Sequence, residues 1–164
     1  MARGYDRLAG VYEGLEHLSF GPQLQRARHI GSLAQSQHIL ILGEGDGRFL
    51  AELLALNSHA RIDCVDLSRA MLAKAARRSG NPPQVRFIHA DATDHRVLDR
   101  CLARDYDAVV TLFFLDNFTA DTLRQLVPTL AARLRPGGVW LQSDFRLPER
   151  GWRRWRAHRC CCSA

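Results

Sequence analysis

The chain has 164 residues, 46% hydrophobic and 24% charged, which suits one globular domain large enough to bury a core. No stretch reaches the ~18 uninterrupted apolar residues of a membrane-spanning helix, and Met1 to Asp6 begin no apolar leader, so a cytoplasmic location is expected. The formal charge of +6 is concentrated: residues 146–164 hold six arginines and one glutamate, leaving 17 basic against 16 acidic side chains before them. A nearly neutral body gives no support for a specific nucleic-acid partner.

Residues 1–36 read as two helices. Tyr5, Leu8, Val11, Tyr12, Leu15 and Leu18 form one apolar stripe, Gly21-Pro22 breaks it, and Leu24, Ala27, Ile30 and Leu33 form another. Such a pair could cap a sheet edge, or fold over the mouth of a site. Ile39-Leu40-Ile41-Leu42 then reads as a strand buried on both faces. Gly43-Glu44-Gly45-Asp46-Gly47 interrupts the apolar run, and Phe49, Leu50, Leu53 and Leu54 resume it at helical spacing. A strand, a glycine turn and a helix start bring main chain close to a nucleotide-like ligand. A dinucleotide fingerprint would need its third glycine where Arg48 stands.

The second strand is expected over 60–65, ending at Asp66. An acidic residue there can accept from ribose hydroxyls in a doubly wound sheet, or serve as a helix cap in competition with Ser68. Gly80-Asn81-Pro82-Pro83 ends the next helix. Val85 to His89 form a third strand, and Asp91 follows as a ligand group or a turn residue. His89 has no second histidine at metal-ligand spacing. The fourth strand runs from Tyr106 towards Leu115. Asp116 and Asn117 then cap a helix beginning near Thr119-Ala120-Asp121, or position a substrate heteroatom. Leu123, Leu126, Val127, Leu130 and Leu134 give that helix its core face, with Pro128 expected to kink or interrupt it. An Arg135-Pro136-Gly137-Gly138 turn is expected to end the helix and lead into a fifth buried strand.

The cysteines are uneven. Cys64 reads as a small core residue and Cys101 falls near a helix end. Cys160, Cys161 and Cys162 match neither a zinc spacing nor a disulfide framework. The run Trp152-Arg153-Arg154-Trp155-Arg156 could attract nucleic acid or an anionic membrane surface, or be the shortened start of a helix. The last of these is favoured, with no specific nucleic-acid binding and with oxidative cross-linking through the cysteines.

Five segments carry a family resemblance. Gly43-Glu44-Gly45-Asp46-Gly47 resembles motif I of the class I S-adenosylmethionine-dependent methyltransferases, and Asp66-Leu67-Ser68-Arg69-Ala70-Met71-Leu72 resembles motif II. Asp91-Ala92 resembles motif III, 106–115 resembles motif IV, and Leu134-Arg135-Pro136-Gly137-Gly138 resembles the family's hallmark junction. The resemblance spans about residues 5–149, in order. It implies an α/β fold with a doubly wound, mostly parallel Rossmann-like sheet. Residues 1–36 would be a helical cap, 37–149 the S-adenosylmethionine-binding domain and 150–164 a basic tail.

The resemblance further implies S-adenosyl-L-methionine as cofactor and a small-molecule acceptor that the sequence does not name. Its binding residues would be Gly43, Glu44, Gly45, Asp46 and Gly47 of the loop, Asp66, Leu67 and Met71, Asp91 and Ala92, and Thr111, with Tyr5 closing the pocket. No metal is implied, and His17, His89 and Asp116 are the candidates for an optional general base. Two departures stand out. Ile41 replaces the acidic residue usual two positions before the first glycine, and Glu44 and Asp46 are offered as its substitutes towards the ligand's ammonium end. The family's closing β-hairpin has no counterpart, which would leave an open sheet edge and favour self-association. The alternatives are a degenerate fold that binds cofactor or a partner without turnover, and, less favoured, a nicotinamide-dependent oxidoreductase.

Overall fold

The computed structural model describes residues 30–143. The two N-terminal stripes before Ile30, Tyr5 and His17 among them, lie outside the described residues. So do the Arg/Trp/Cys tail and the stretch in which a closing hairpin would fall.

The elements alternate strand and helix. They are β1 (His38–Leu42), α1 (Arg48–Leu56), β2 (Arg61–Asp66), α2 (Arg69–Ser79), β3 (Val85–His89), α3 (His95–Cys101), β4 (Tyr106–Leu112), α4 (Ala120–Ala131) and β5 (Leu134–Ser143). The five strands are all parallel, in the order β3-β2-β1-β4-β5. The chain therefore winds outward from β1 in one direction and then in the other, so the crevice between β1 and β4 is the switch point.

Strand periodicity builds the layers. Ile39 and Ile41 point to the face covered by Leu50 and Leu53 of α1 and by Leu72 and Ala75 of α2. Leu40 and Leu42 point to the opposite face, against Leu98 of α3 and Leu126 and Leu130 of α4. Burying both sides of β1 this way contributes roughly 1.5–3 kcal/mol per large aliphatic side chain, and it explains the uninterrupted apolar run. Gly47 permits the packing of α1 on α2. A Cβ there would lie 2.5 Å from the Ala75 Cα, so only glycine fits. Cys64 is buried in the same layer, as expected, and burial raises its thiol pKa.

Several boundaries differ from the sequence expectations. The α4 helix is one element through Pro128 to Ala131, so proline does not interrupt it. Its N-cap is Thr119, whose hydroxyl accepts from the Thr122 N–H, and not Asp116 or Asn117. Val127 faces solvent rather than the core. Arg135-Pro136-Gly137-Gly138 is not the helix terminator. The helix has already ended, and these four residues form a bulge inside β5, where Tyr106 pairs with Leu134 but Ala108 pairs with Val139. Gly137 takes the left-handed φ of 78° that the bulge requires. Asp107 secures the bulge through an ion pair with Arg135 Nε, while its other oxygen accepts the backbone N–H groups of Gln37 and His38. Nor is β5 buried: Leu141 alone among its residues is buried, and Val139 is 40% exposed.

The amino-terminal ends of the strands share a polar cluster absent from the sequence reading. Asp63 of β2 is buried and accepts two hydrogen bonds from the Arg86 guanidinium of β3, each 2.6 Å, and one from the Tyr106 hydroxyl of β4. His38 stands 3.7 Å from the same carboxylate. Burial alone would push the Asp63 carboxyl up, but the bonds from Arg86 and Tyr106 outweigh it and hold the pKa below the usual value. A buried cation, Arg133, holds α3 to the turn after α4, donating to the Leu102 and Ala103 carbonyls and to Asp99. Among the described residues no helix is long and apolar enough to cross a membrane.

Candidate active site

The site is built at the carboxyl ends of β1, β2 and β3. The loop after β1 continues the sheet for one residue, with the Gly43 N–H donating to the Val65 carbonyl at 2.9 Å. All three loop glycines have positive φ, between 68° and 89°, which only glycine adopts without strain. They do different work. Gly47 is closed against Ala75 and Gly43 against the Phe114 ring, whereas a Cβ on Gly45 would meet no protein atom within 4 Å. The open face of Gly45 is therefore where a ligand can rest on bare main chain.

Acidic residues flank Gly45 in the loop, Glu44 before it and Asp46 after it. The Glu44 carboxylate turns back to accept the Leu50 N–H at 2.9 Å, satisfying a free donor in the first turn of α1. Burial raises its pKa to about 8; the Leu50 bond opposes that rise, and the charges of Asp46 and Asp66 add to it. Asp46 accepts from Arg48 Nε at 3.1 Å and Arg78 Nη1 at 2.7 Å, so Arg48 folds back over the loop instead of projecting freely outward.

Asp66 ends β2, where its side chain accepts the Ser68 N–H at 2.8 Å and its carbonyl accepts the Ala90 N–H. Ser68, not Asp66, caps α2 by accepting from the Met71 N–H. Leu67 and Met71 flank this turn, both partly exposed. The next turn follows the same design: Asp91 accepts from the Thr93 N–H and hydroxyl, with Ala92 buried beneath. His89 is exposed, and its Nε2 lies 2.9 Å from the Leu67 carbonyl, tying the two turns together.

The fold thus gathers Gly43 to Gly47, Asp66, Leu67, Met71, Asp91 and Ala92 at one end of the sheet. Thr111 is not part of that surface. It is fully buried, with its hydroxyl accepting from Trp140 Nε1 at 2.9 Å, and it supports the sheet below. Asp116 lies exposed in the 3₁₀ turn Leu115–Asn117 beyond β4, on the other side of the switch point from His89. Phe114 was missed by the sequence reading, which continued the strand to Leu115. A cavity of about 220 Å³ lined by Thr93, His95, Thr122, Gln125 and Leu126 adjoins the Asp91 turn but not the glycine loop.

A parallel sheet with a glycine turn after its central strand and carboxylates after the next two is the arrangement on which doubly wound α/β proteins hold nucleotide-like ligands. A family model described as methyltransferase domain matches residues 39–138, and the chain belongs to this family of class I S-adenosylmethionine-dependent methyltransferases. It is 29% identical over 148 residues to a malonyl-[acyl-carrier protein] O-methyltransferase of Halalkalibacterium halodurans, covering 87% of this chain and 54% of that protein. It is 32% identical over 148 residues to a demethylmenaquinone methyltransferase of Clavibacter sepedonicus, covering 88% and 57%. The chain thus spans little more than half the length of these relatives. The SAM-bound structure of CalS10, an amino pentose methyltransferase from Micromonospora echinaspora, superposes with a TM-score of 0.65 at 26% identity, covering 86% of this chain and 58% of that one.

Proposed function

We propose that the chain binds S-adenosyl-L-methionine at the glycine loop and transfers its methyl group to a small-molecule acceptor. The observation that carries this is the open, left-handed face of Gly45, set between carboxylates at the carboxyl ends of β1 and β2. The donor set fits the cofactor. Asp66 suits two ribose hydroxyls, the Asp91-Ala92 turn suits the base, and Glu44, which holds a proton below about pH 8, can release it to face a ligand with a cationic end. When bound, the cofactor supplies an activated methyl group on a good leaving group. The work left to this chain is alignment and exclusion of water. That agrees with a site rich in backbone and carboxylate contacts. Asp116, beyond β4, is the described residue best placed to hold an acceptor proton; His89 is committed to the Leu67 carbonyl.

The same reading keeps residues 37–149 as the binding unit, 1–36 as its cap with Tyr5 at the pocket, and 150–164 outside it. It places the reaction in the cytoplasm and lets copies associate through the exposed β5. Titration calorimetry with S-adenosylmethionine, S-adenosylhomocysteine and a nicotinamide dinucleotide tests the cofactor, followed by acceptor screening for methyl transfer. Binding of the dinucleotide alone would overturn the reading. Binding of S-adenosylmethionine with no transfer to any acceptor pool would favour a binding protein. Light scattering of the reduced chain, whole and lacking 150–164, tests the association. Cofactor affinity of the shortened chain should stay within a few-fold.

A further inference from the structure

Beyond the last residue of β4 the backbone reverses at Phe113, which has a left-handed φ of 53°, an uncommon conformation for a residue with a bulky side chain. Its N–H donates to the Ser143 carbonyl at 2.6 Å, so the end of β5 holds the reversal in place. The reversal throws the next ring, Phe114, back across the switch point onto Gly43. The approach is so close that a Cβ on Gly43 would clash with Phe114 Cδ2. Phe118 meets the ring edge-on, with centroids 5.1 Å apart and planes at 71°. Phe114 is partly exposed, so a supported aromatic group closes the β1–β4 side of the glycine loop while remaining open to a ligand.

We infer that the Phe114 ring packs against the positively charged sulfur of the methyl donor and makes the site prefer that charged donor over its neutral demethylated product. The inference rests on the proposed cofactor. In S-adenosylmethionine the base and the sulfur leave the ribose at opposite ends. With the ribose at Asp66 on β2 and the base at Asp91 and Ala92 after β3, the sulfur-bearing arm points towards β1 and β4. Phe114 and Gly43 meet there. An aromatic face attracts a cation electrostatically and does so more strongly away from water. A sulfonium is a soft, weakly hydrated cation, and the product sulfide has nearly the same shape without the charge. The preference would help the product leave after each turnover. Phe114 is then a positioning and specificity residue whose contribution appears in binding.

The test compares dissociation constants of S-adenosylmethionine and S-adenosylhomocysteine by calorimetry for the wild type, Phe114→Leu, Phe114→Met and Phe114→Tyr. Leu and Met keep an apolar side chain without the ring, and having both guards against one failing to fold. Each should weaken the charged donor about three- to thirty-fold and change the neutral product less than about two-fold. Tyr should keep the wild-type ratio. Equal loss for both ligands would make Phe114 a packing residue only, and tighter binding of both would make it a plug. Either result overturns the inference and leaves the cofactor assignment intact. A wild type that binds neither ligand sinks both.

Discussion

The Glu44 carboxyl group accepts the Leu50 N–H at 2.9 Å, so a side chain of the glycine loop caps the helix that follows it. Its pKa is raised from the ordinary 4.5 to about 8, so the folded state holds a proton that the unfolded chain has released. The stabilisation is therefore full below about 4.5 and is lost as pH rises towards about 8. Urea unfolding between those limits should show stability falling by roughly 4–5 kcal/mol. Glu44→Gln, whose amide oxygen can still accept from Leu50, should flatten the slope. Cofactor affinity should move the opposite way, rising with pH as an ionised Glu44 meets a cationic ligand. Calorimetry in buffers of different ionisation enthalpy would detect the accompanying proton release.

Asp66→Asn should weaken S-adenosylmethionine binding by about 1.5–3 kcal/mol, the range for hydrogen bonds to a charged group. The amide oxygen can still accept the Ser68 N–H, so the turn survives and the melting temperature should change little. Unchanged affinity in the folded variant would remove Asp66 from the site.

The loop glycines should separate into structural and ligand-facing positions. Gly47→Ala drives a Cβ into the Ala75 backbone and should lose several kcal/mol of stability, as overpacking and left-handed strain add. Gly45→Ala meets open space and should cost only about 1–2 kcal/mol of backbone strain. Its effect should fall on cofactor affinity. Thermal denaturation read beside calorimetry distinguishes the two.

Arg86→Ala removes the bidentate partner of buried Asp63 at the end of the sheet remote from the site. The Asp63 side chain is 3% exposed but that of Arg86 is 59% exposed, so solvent moderates the loss. About 2–3 kcal/mol is expected, less than the roughly 3–5 for a fully enclosed pair. Cofactor affinity should not change. Because the Asp63 pKa is lowered on folding, its stabilisation is present above the ordinary aspartate range and lost as pH falls through the folded value. The variant should lose that part of the acid sensitivity, as acid unfolding monitored by circular dichroism would show.

What the sequence revealed and what it hid follow from the range of the interactions. The β1 strand, the glycine turn and the buried Leu50 and Leu53 were legible because each rests on neighbours a few residues away. The extent and type of β3 were legible for the same reason. The bulge at Arg135 to Gly138 was not, because it exists only as a mismatch of pairing with β4. Phe114 was hidden because its apolar neighbours continue the strand pattern past the point where the backbone reverses. Asp63 left a usable signal: a carboxylate between Ile62 and Cys64 in a buried strand needs a cation beside it. Arg86 is its direct register partner on β3. Only the topology brings Tyr106 to the same oxygen.

The strand order also governs the sequence in which the sheet can be assembled. β1 pairs with β2, which follows it closely, but its other edge waits for β4, with α2, β3 and α3 intervening. On a chain emerging from the ribosome, β1, β2 and β3 can associate while the far edge of β1 is still unpaired and Leu40 and Leu42 lack α4 as cover. Asp107, 70 residues after Gln37, grips the start of β1 only once β4 has followed. A nascent chain halted before Tyr106 should therefore be the species that engages chaperones most strongly and aggregates most readily.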